Sequence, residues 1–270
     1  MPDAGFDHRE QDEALILDRH SPHVVTITFN RPHRHNAFDH SLWAKLAETF
    51  DLLARDDTVR CVGLFGGGGK AFSTGADIVE FETHRRTREQ AVIYAAHVKK
   101  TWDAIIKCPH PVVAVIDGLC VGGGLELACL ADMRIASEGS RFGMPLKRLG
   151  LVLAYPELQP IFDVAGAANT LEILLEGKIF GTEDAVRLGL VSRIVPKAEI
   201  RAAGLALAQS IAEGAPLSAR WHKTFVRRLK SPKPLTEEER AVCFECFDTE
   251  DFETGYQAFL DKSNPSFVGR

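Results

Sequence analysis

Short apolar runs alternate with amphipathic patterns over the first two thirds of the chain. Residues 24–29, 59–65 and 111–117 are rich in β-branched side chains, and each run has the length of a single strand. Between these runs, apolar residues recur at helical spacing in residues 41–53 and 89–107. Because a parallel strand pair needs a crossover connection, the alternation predicts stacked β-α units around a parallel sheet.

The two helical patterns have recognisable ends and faces. Ser41 is the expected N-cap of the first helix. The second helix is expected to bury one face, formed by Ala91, Tyr94, Ala95, Val98 and Trp102. Both helices should therefore cover the sheet.

The pattern changes from about residue 182 onward, where helices dominate. Helices are expected at residues 182–188, 197–213, 215–229 and 236–247, with a strand-like stretch at 191–195 and a polar connection at 230–234. We therefore expect a core of residues 1–195 that holds the functional site, followed by a helical section of residues 196–270.

Composition favours a folded protein that meets its ligand locally. Hydrophobic residues make up 45% of the 270 residues, which is enough for a large core. The formal charge of -5 arises from 32 basic and 37 acidic residues mixed along the chain, so no broad positive field attracts nucleic acid or an anionic membrane. No apolar run reaches the roughly 20 residues of a membrane span, and the acidic residues 1–20 do not resemble a signal peptide. We expect a cytoplasmic protein without nucleic-acid or membrane partners.

The six cysteines do not form a disulfide pattern. Several lie in apolar stretches, as Cys120 and Cys129 do, and we expect them to be small buried residues. Cys243 and Cys246 have C-x-x-C spacing on an expected helix, but no second cysteine pair or nearby histidine completes a metal site. We therefore expect no metal.

Two glycine turns follow the second and third predicted strands. The first spans residues 66–78, where Gly75 can adopt backbone angles closed to other residues and direct the Ala76 N–H outward. The second spans residues 117–129, where three glycines run directly into an apolar helix. Such a helix start exposes unpaired N–H groups without a Cβ atom to block a ligand, so it favours an anionic oxygen. Taken alone, each turn is also consistent with a purely structural role.

Glu126 lies three residues after Gly123, which is close to one helical turn. Its carboxylate can therefore lie on the same side as the Gly123 N–H, so that a donor and a base face one reacting group. An acidic residue in a first helical turn also stabilises the helix by ~0.3–1 kcal/mol through the helix dipole. Both interpretations stay open on these residues alone.

Several common motifs are missing from the sequence. Residues 66–70 do not form a P-loop, because Ala71 follows Lys70 and Leu64 occupies the position of the first glycine. Neither glycine turn has the G-x-G-x-x-G spacing of a dinucleotide site. The lack of G-x-S-x-G and H-E-x-x-H argues against a serine hydrolase and a zinc protease.

Five segments together resemble the enoyl-CoA hydratase/isomerase, or crotonase, family. They are residues 30–38 (NRPHRHNAF), 70–80 (KAFSTGADIVE), 117–137 (DGLCVGGGLELACLADMRIAS), 141–145 (RFGMP) and 181–196 (GTEDAVRLGLVSRIVP). The resemblance runs from about residue 12 to the C-terminus. It implies an α/β crotonase (ClpP-like) spiral of β-β-α units with a C-terminal helical trimerisation section. It also implies a homotrimer, or a hexamer that is a dimer of trimers.

The same resemblance implies an acyl-CoA site. By position, the N–H groups of Ala76 and Gly123 form the oxyanion hole for a thioester enolate, and Glu126 matches one catalytic glutamate of the hydratases. Asp77 and Ile78 then lie along the path of the pantetheine and adenine. Coenzyme A enters as part of the substrate, so no permanently bound cofactor is expected.

The segment at residues 258–267 (AFLDKSNPSF) is similar to the final segment of the family. The resemblance implies that Phe259 and Lys262 help bind coenzyme A, in this subunit or from a neighbouring one. The same residues are equally consistent with an amphipathic terminal helix.

One position departs from the hydratase pattern. Hydratases carry a second catalytic glutamate directly after the proline that matches Pro145, where this chain has Leu146. A leucine cannot transfer a proton, and loss of one general acid or base typically lowers the rate by ~10²–10⁴. The loop that follows offers Tyr155 and Glu157 as additional acid/base candidates, although Glu157 is also consistent with a helix start.

These observations favour a lyase of the enoyl-CoA hydratase/isomerase type, which hydrates, dehydrates or isomerises an enoyl-CoA as in fatty acid metabolism. Leu146 keeps two alternatives open. One is another CoA-thioester reaction, a decarboxylation or a hydrolysis. The other is an acyl-CoA binder without turnover. The dehalogenase pattern is not matched, because Ala154 stands where an aspartate is expected.

Overall fold

The computed structural model describes residues 13–270. Residues 1–12 lie outside the described residues. They make up much of residues 1–20, for which the sequence does not predict a signal peptide. The strands are β1 (Leu15–Ser21), β2 (Val24–Phe29), β3 (Cys61–Gly66), β4 (Ala71–Ser73), β5 (Val112–Ile116), β6 (Leu119–Val121), β7 (Met133–Ser137), β8 (Arg141–Gly143), β9 (Ile179–Phe180) and β10 (Arg193–Val195). The helices are α1 (His40–Leu53), α2 (Phe81–His84), α3 (Arg88–Lys107), α4 (Gly123–Leu130), α5 (Tyr155–Glu176), α6 (Thr182–Arg187), α7 (Ile200–Ala212), α8 (Pro216–Leu229), α9 (Glu237–Ala241) and α10 (Glu250–Asp261).

The strands form two sheets. The larger has the order β1-β2-β3-β5-β7-β10, and the smaller has the order β4-β6-β8-β9. Neighbouring strands are parallel except for the pairs β1–β2 and β8–β9, which are antiparallel. The predicted parallel sheet is therefore confirmed. The edge strand β1 was not predicted, because its sequence LILDRHS mixes apolar and charged residues on a half-exposed strand.

The chain contributes strands to both sheets in turn. β3 is followed by β4, β5 by β6 and β7 by β8, and each pair leads into one or two helices. This repeated β-β-α order confirms the expected spiral. Because β4 and β6 are parallel neighbours, their carboxyl ends meet at one edge of the small sheet. The two glycine turns leave the sheet at that edge.

The central strands of the large sheet, β2, β3 and β5, are buried on both faces. Val113 and Val115 of β5 pack toward α7, whereas Val112 and Ala114 belong to the core that includes α1 and α3. Two-sided burial explains why the parallel strands are continuous apolar runs. Four cysteines in apolar stretches of the chain are buried, as expected. They are Cys61, Cys108, Cys120 and Cys129.

The first helix begins one residue earlier than predicted, and the predicted cap is wrong. Asp39 is the N-cap, because its carboxylate accepts a hydrogen bond from the Leu42 N–H at 2.9 Å. Ser41 instead donates its hydroxyl to the same carboxylate at 2.7 Å. The second long helix, α3, begins at Arg88 under a capping box formed by Thr87.

The C-terminal helices return to the core through charged contacts. Lys223 of α8 lies 2.7 Å from Asp132 and donates to the His110 carbonyl, and Arg227 lies 3.0 Å from the same Asp132. The helix expected at residues 236–247 is instead the short α9 followed by a 3₁₀ turn, Val242–Asp248. Large apolar side chains of this region are exposed, namely Phe244, Phe247, Phe252, Tyr256, Phe259 and Leu260. The division of the chain at residue 195 and the trimerisation role stay predictions.

Across residues 13–270, no helix has both the length and the apolar character that a bilayer span requires.

Candidate active site

The two predicted glycine turns touch each other backbone to backbone. Gly75 has a φ of +79°, in the left-handed region that favours glycine. A Cβ atom built on Gly75 would lie 2.3 Å from the amide nitrogen of Gly123 and 2.7 Å from its Cα. Both the backbone angle and the close contact therefore require glycine at position 75.

The N–H groups of Ala76 and Gly123 lie side by side, and neither has an acceptor among residues 13–270. Phe38 donates to the Gly75 carbonyl at 2.7 Å and accepts from the Asp77 N–H at 2.8 Å, forming a parallel bridge around Ala76. Since N–H groups alternate in direction along an extended backbone, the Ala76 N–H points away from Phe38. Gly123 is the first residue of α4, so its N–H has no acceptor within the helix. A Cβ built on Gly123 would lie 3.5 Å from the Ala76 nitrogen, and within residues 13–270 neither N–H is hydrogen-bonded.

A buried asparagine holds the first turn in place. Asn36 has a φ of +55° and donates its side-chain amide to the carbonyls of Gly67 at 3.0 Å and Ala71 at 2.6 Å. The Ser73 hydroxyl donates to the Asn36 carbonyl at 2.8 Å and accepts from the Gly75 N–H at 3.0 Å. Sequence reasoning included Asn36 only within a family-like segment, because its partners lie more than thirty positions away, at separations of 31 and 35 residues.

The turns open into a cavity of about 470 Å³, a volume typical of small-molecule sites. Six of the predicted site residues line it, namely Ala76, Asp77, Ile78, Gly123, Glu126 and Glu157. The fold therefore brings most of the predicted site together in one place.

Glu126 is buried on the wall of this cavity, with 5% of its surface exposed. Burial raises the pKa of its carboxyl well above the ordinary value of 4.5, the charge of Glu157 raises the pKa further, and the charge of Arg85 opposes the shift. Glu126 thus keeps its proton at a pH where an exposed glutamate has lost it. A buried carboxyl group with a raised pKa on a cavity wall is a candidate for proton transfer.

Glu157 reaches the same cavity from another helix. It lies in the first turn of α5, is 7% exposed, and accepts a hydrogen bond from the Ala154 N–H at 2.9 Å. It therefore caps the helix and also acts electrostatically on Glu126. Tyr155, in contrast, is 88% exposed and does not line the cavity.

Leu146 lines the cavity and packs against the apolar core. It follows Pro145 in the 3₁₀ turn Pro145–Leu149, after β8. The position that resembles the second hydratase glutamate is therefore an apolar part of the wall. The carboxyl groups that line the cavity are those of Asp77, Glu126 and Glu157.

Asp77 and Ile78 lie where the cavity opens to solvent. The Asp77 carboxylate is 3.2 Å from the Arg31 guanidinium and accepts from the Val79 N–H at 3.2 Å, so it holds the backbone that follows Ala76. Ile78 is 63% exposed. Sequence reasoning did not single out the three exposed side chains that line the same opening, His33, Arg34 and His35.

The inner wall of the cavity is aromatic, and a half-buried arginine lies on it. Trp43 donates its Nε1–H to the Tyr94 hydroxyl at 2.9 Å, and both side chains are buried beside Trp102. The guanidinium carbon of Arg85 lies 4.7 Å from the centre of the Tyr94 ring and 4.8 Å from that of Phe81. Sequence reasoning placed Tyr94 and Trp102 on a buried helix face. It missed Arg85, because this residue follows the four-residue helix α2, which is too short to show a periodic pattern.

The two C-terminal candidates do not reach this cavity within the chain. Phe259 on α10 is 82% exposed, and Lys262 is the exposed C-cap of the same helix with a φ of +54°. Neither residue lines the cavity. Their role in binding coenzyme A stays a prediction.

A spiral of β-β-α units with two parallel-stranded sheets, and a cavity at the meeting point of two glycine turns, defines a crotonase-type protein. The family model for enoyl-CoA hydratase/isomerase matches residues 19–270. The chain belongs to the enoyl-CoA hydratase/isomerase family, and this family implies an acyl-CoA substrate.

Individual relatives agree with this assignment. A probable enoyl-CoA hydratase from Bacillus subtilis is 32% identical over 91% of this chain and 95% of its own length. An (E)-benzylidenesuccinyl-CoA hydratase from Thauera aromatica is 31% identical over 92% of this chain and 97% of its own length. The crystal structure of an enoyl-CoA hydratase/carnithine racemase from Magnetospirillum magneticum matches with a TM-score of 0.93 and 44% identity over 96% of both chains. The similarities confirm the predicted fold class and support an enzyme of this family.

Proposed function

We propose that this protein catalyses the hydration, dehydration or isomerisation of an enoyl-CoA through a thioester enolate. The proposal rests on the contact between the glycine turns. This contact sets the N–H groups of Ala76 and Gly123, both without an acceptor in the described part of the chain, side by side in the cavity that Glu126 also lines. Negative charge develops on the thioester oxygen as the enolate forms, and fixed donors stabilise it without reorganising. One such donor contributes about 2.7–4 kcal/mol to transition-state stabilisation.

Hydration needs one group that donates a proton and one that accepts a proton. The water oxygen bonds to C3, the π electrons of the C2–C3 bond move toward the thioester oxygen, and the enolate then takes a proton at C2. Glu126, whose pKa is raised by burial, donates that proton. Glu157, which already accepts a hydrogen bond from Ala154, takes the proton that the water loses. Return of one proton from Glu157 to Glu126 closes the cycle, so water and the enoyl thioester give a 3-hydroxyacyl thioester.

Isomerisation uses the same groups. The deprotonated member of the Glu126–Glu157 pair removes a proton from C2 of a 3-enoyl thioester, and the proton returns at C4. The enolate oxygen is held by the same two N–H groups in both reactions. Leu146 is then part of the acyl pocket, and Glu157 supplies the second carboxyl group that this position lacks.

A panel of 2-enoyl- and 3-enoyl-CoA thioesters tests the proposal, with products identified by mass spectrometry. We expect the wild-type protein to convert at least one of them. We expect Glu126→Gln to lower turnover by on the order of 10²–10⁴, as loss of a general acid or base does, while calorimetry shows that acyl-CoA still binds.

Three results would contradict the proposal. Release of free thiol or of CO₂ would indicate a hydrolase or a decarboxylase. Tight acyl-CoA binding without any product across the panel would indicate a binder without turnover. Wild-type turnover in Glu126→Gln would show that Glu126 transfers no proton.

A further inference from the structure

Arg85 places a positive charge on the cavity wall that the proposed reaction does not use. Its guanidinium carbon lies 4.8 Å from the Phe81 ring centre and 4.7 Å from the Tyr94 ring centre. These cation–π contacts stabilise the charge and restrict its position, but they satisfy none of its five N–H donors. In the described part of the chain, the Arg85 side chain forms neither a hydrogen bond nor an ion pair.

The carboxyl groups on the cavity wall do not neutralise this arginine. The Asp77 carboxylate is already paired with Arg31 at 3.2 Å. Glu126 is kept protonated by burial, which raises its pKa. The Glu157 carboxylate caps α5 and forms no ion pair with Arg85. A half-buried guanidinium therefore faces the cavity with its hydrogen-bonding capacity unused.

Arg85 lines the same cavity as the two amides and Glu126, and it is close enough to Glu126 to act on its pKa. In the proposed function, the thioester oxygen is held by Ala76 and Gly123, and C2 and C3 of the acyl group react beside Glu126. The rest of the acyl group then extends along the wall where Arg85 packs on Tyr94. A purely hydrocarbon tail would leave the guanidinium unpaired, whereas a carboxylate accepts two parallel N–H bonds from an arginine.

We infer that Arg85 binds a carboxylate at the far end of the acyl group, so that the substrate is the mono-CoA thioester of a short dicarboxylic enoic acid. This inference rests on the proposed function and adds the substrate class. Because Arg85 is near enough to Glu126 to act on its pKa, a short acyl group is enough to reach from Glu126 to the guanidinium inside the same cavity.

Binding of two saturated thioesters tests the inference without any turnover. Glutaryl-CoA and butyryl-CoA differ by one terminal carboxylate, and calorimetry measures both affinities. We expect the wild-type protein to bind glutaryl-CoA more tightly. Arg85→Gln should bind glutaryl-CoA more weakly by on the order of 10- to 100-fold, as expected when a hydrogen-bonded charge pair is lost. Its affinity for butyryl-CoA should stay at the wild-type value.

Two further variants control for charge and folding. Arg88→Gln removes the same charge from an exposed residue of α3 that does not line the cavity, and it should keep the wild-type preference. Arg85→Lys keeps the charge without the bidentate geometry, so part of the preference should remain. Thermal denaturation of each variant shows whether it is folded.

Two outcomes overturn the inference. If the wild-type protein does not prefer glutaryl-CoA, the cavity has no carboxylate subsite. If Arg85→Gln weakens glutaryl-CoA, butyryl-CoA and free coenzyme A equally, Arg85 serves the coenzyme A moiety or the fold. If instead the Arg85-dependent preference is found but neither crotonyl-CoA nor glutaconyl-CoA is turned over, the proposed function fails and the subsite stands.

Discussion

Glu126 and Glu157 come from different helices, α4 and α5, and both carboxyl groups are buried on the wall of one cavity. Burial raises the pKa of Glu126, and the negative charge of Glu157 raises it further. In the proposed hydration, Glu126 donates one proton and Glu157 accepts another. This division between two residues is what a hydration requires.

Glu157→Gln should lower turnover by on the order of 10²–10⁴, because the second proton-transfer group is lost. Removing the like charge should also lower the pKa of Glu126. In the proposed mechanism Glu126 donates a proton, so activity should fall as pH rises through its pKa. This alkaline limb of the pH profile should move to lower pH in the variant. The pH dependence of kcat/KM measures the shift.

Tyr155→Phe is the control, because this exposed side chain does not line the cavity, and it should behave as the wild type. If Tyr155→Phe lowered turnover as much as Glu157→Gln does, the assignment of the proton-transfer role to Glu157 would be wrong.

Gly75→Ala should reduce turnover by on the order of 10²–10³, the range for loss of one oxyanion donor. The new Cβ would lie 2.3 Å from the Gly123 nitrogen and force the two turns apart. Gly139→Ala is the matched control. Gly139 has a φ of +78°, close to the +79° of Gly75, but a Cβ atom at Gly139 would have nothing within 4 Å. Both variants should lose about 1–2 kcal/mol of stability from the left-handed backbone angle. Steady-state kinetics with thermal denaturation separates the two effects, and equal turnover in both variants would argue against the role of the contact.

Glu126→Gln should be more stable than the wild type, by an amount that depends on pH. The folded protein keeps the Glu126 proton, because burial raises the pKa, whereas the unfolded chain releases it above the ordinary value of 4.5. Wild-type stability therefore falls as pH rises above 4.5, until the folded-state pKa is reached. The advantage of the glutamine variant should grow by about 1.4 kcal/mol per pH unit over this window and vanish below it. Denaturant unfolding across this pH range measures the difference, and a difference independent of pH would show that Glu126 is not protonated in the fold.

His110 should make the protein sensitive to acid. It is fully buried, its Nε2 donates to the Leu53 carbonyl at 2.8 Å, and its Nδ1 has no partner in the described part of the chain. Burial lowers its pKa from 6.5 to about 4, against the effect of the Leu53 hydrogen bond and with help from the charges of Arg220 and Lys223. The unfolded chain thus takes up a proton first as pH falls from 6.5 to 4, and the fold loses about 3 kcal/mol over that window.

His110→Gln should remove most of this acid sensitivity, even if the variant is less stable at neutral pH. His222→Gln is the control, because that histidine is exposed on α8. Denaturant unfolding at several pH values gives the slope of stability against pH for each protein. An unchanged slope in His110→Gln would mean that another group carries the acid sensitivity.

The parallel strands and the glycine turns could be predicted because their causes are local. A strand that is buried on both faces must be apolar throughout, so residues 24–29 and 112–116 are recognisable from their side chains alone. The φ of Gly75 follows from its place in a sharp turn. The wrong cap of α1 has a geometric cause. Asp39 and Ser41 both suit an N-cap, and the choice depends on which oxygen reaches the Leu42 N–H.

Long-range packing, in contrast, decided the side chains that line the cavity. Tyr155 and Glu157 are near neighbours in the chain, yet they are 88% and 7% exposed, because two residues two positions apart lie on different faces of the helix α5. Arg85 reaches the cavity because α2 and α3 meet and place the rings of Phe81 and Tyr94 beside it.

The sequence by itself determined the family, the central strands β2, β3 and β5 and the need for glycine at the two turns, since these depend on hydrophobic periodicity and on backbone angles that few residues adopt. Only the tertiary structure decided that Glu126 shares a buried cavity with Glu157 and Arg85 and that Tyr155 stays outside it. The electrostatics of the site depend on distances between groups on separate helices, and no local pattern in the chain contains those distances.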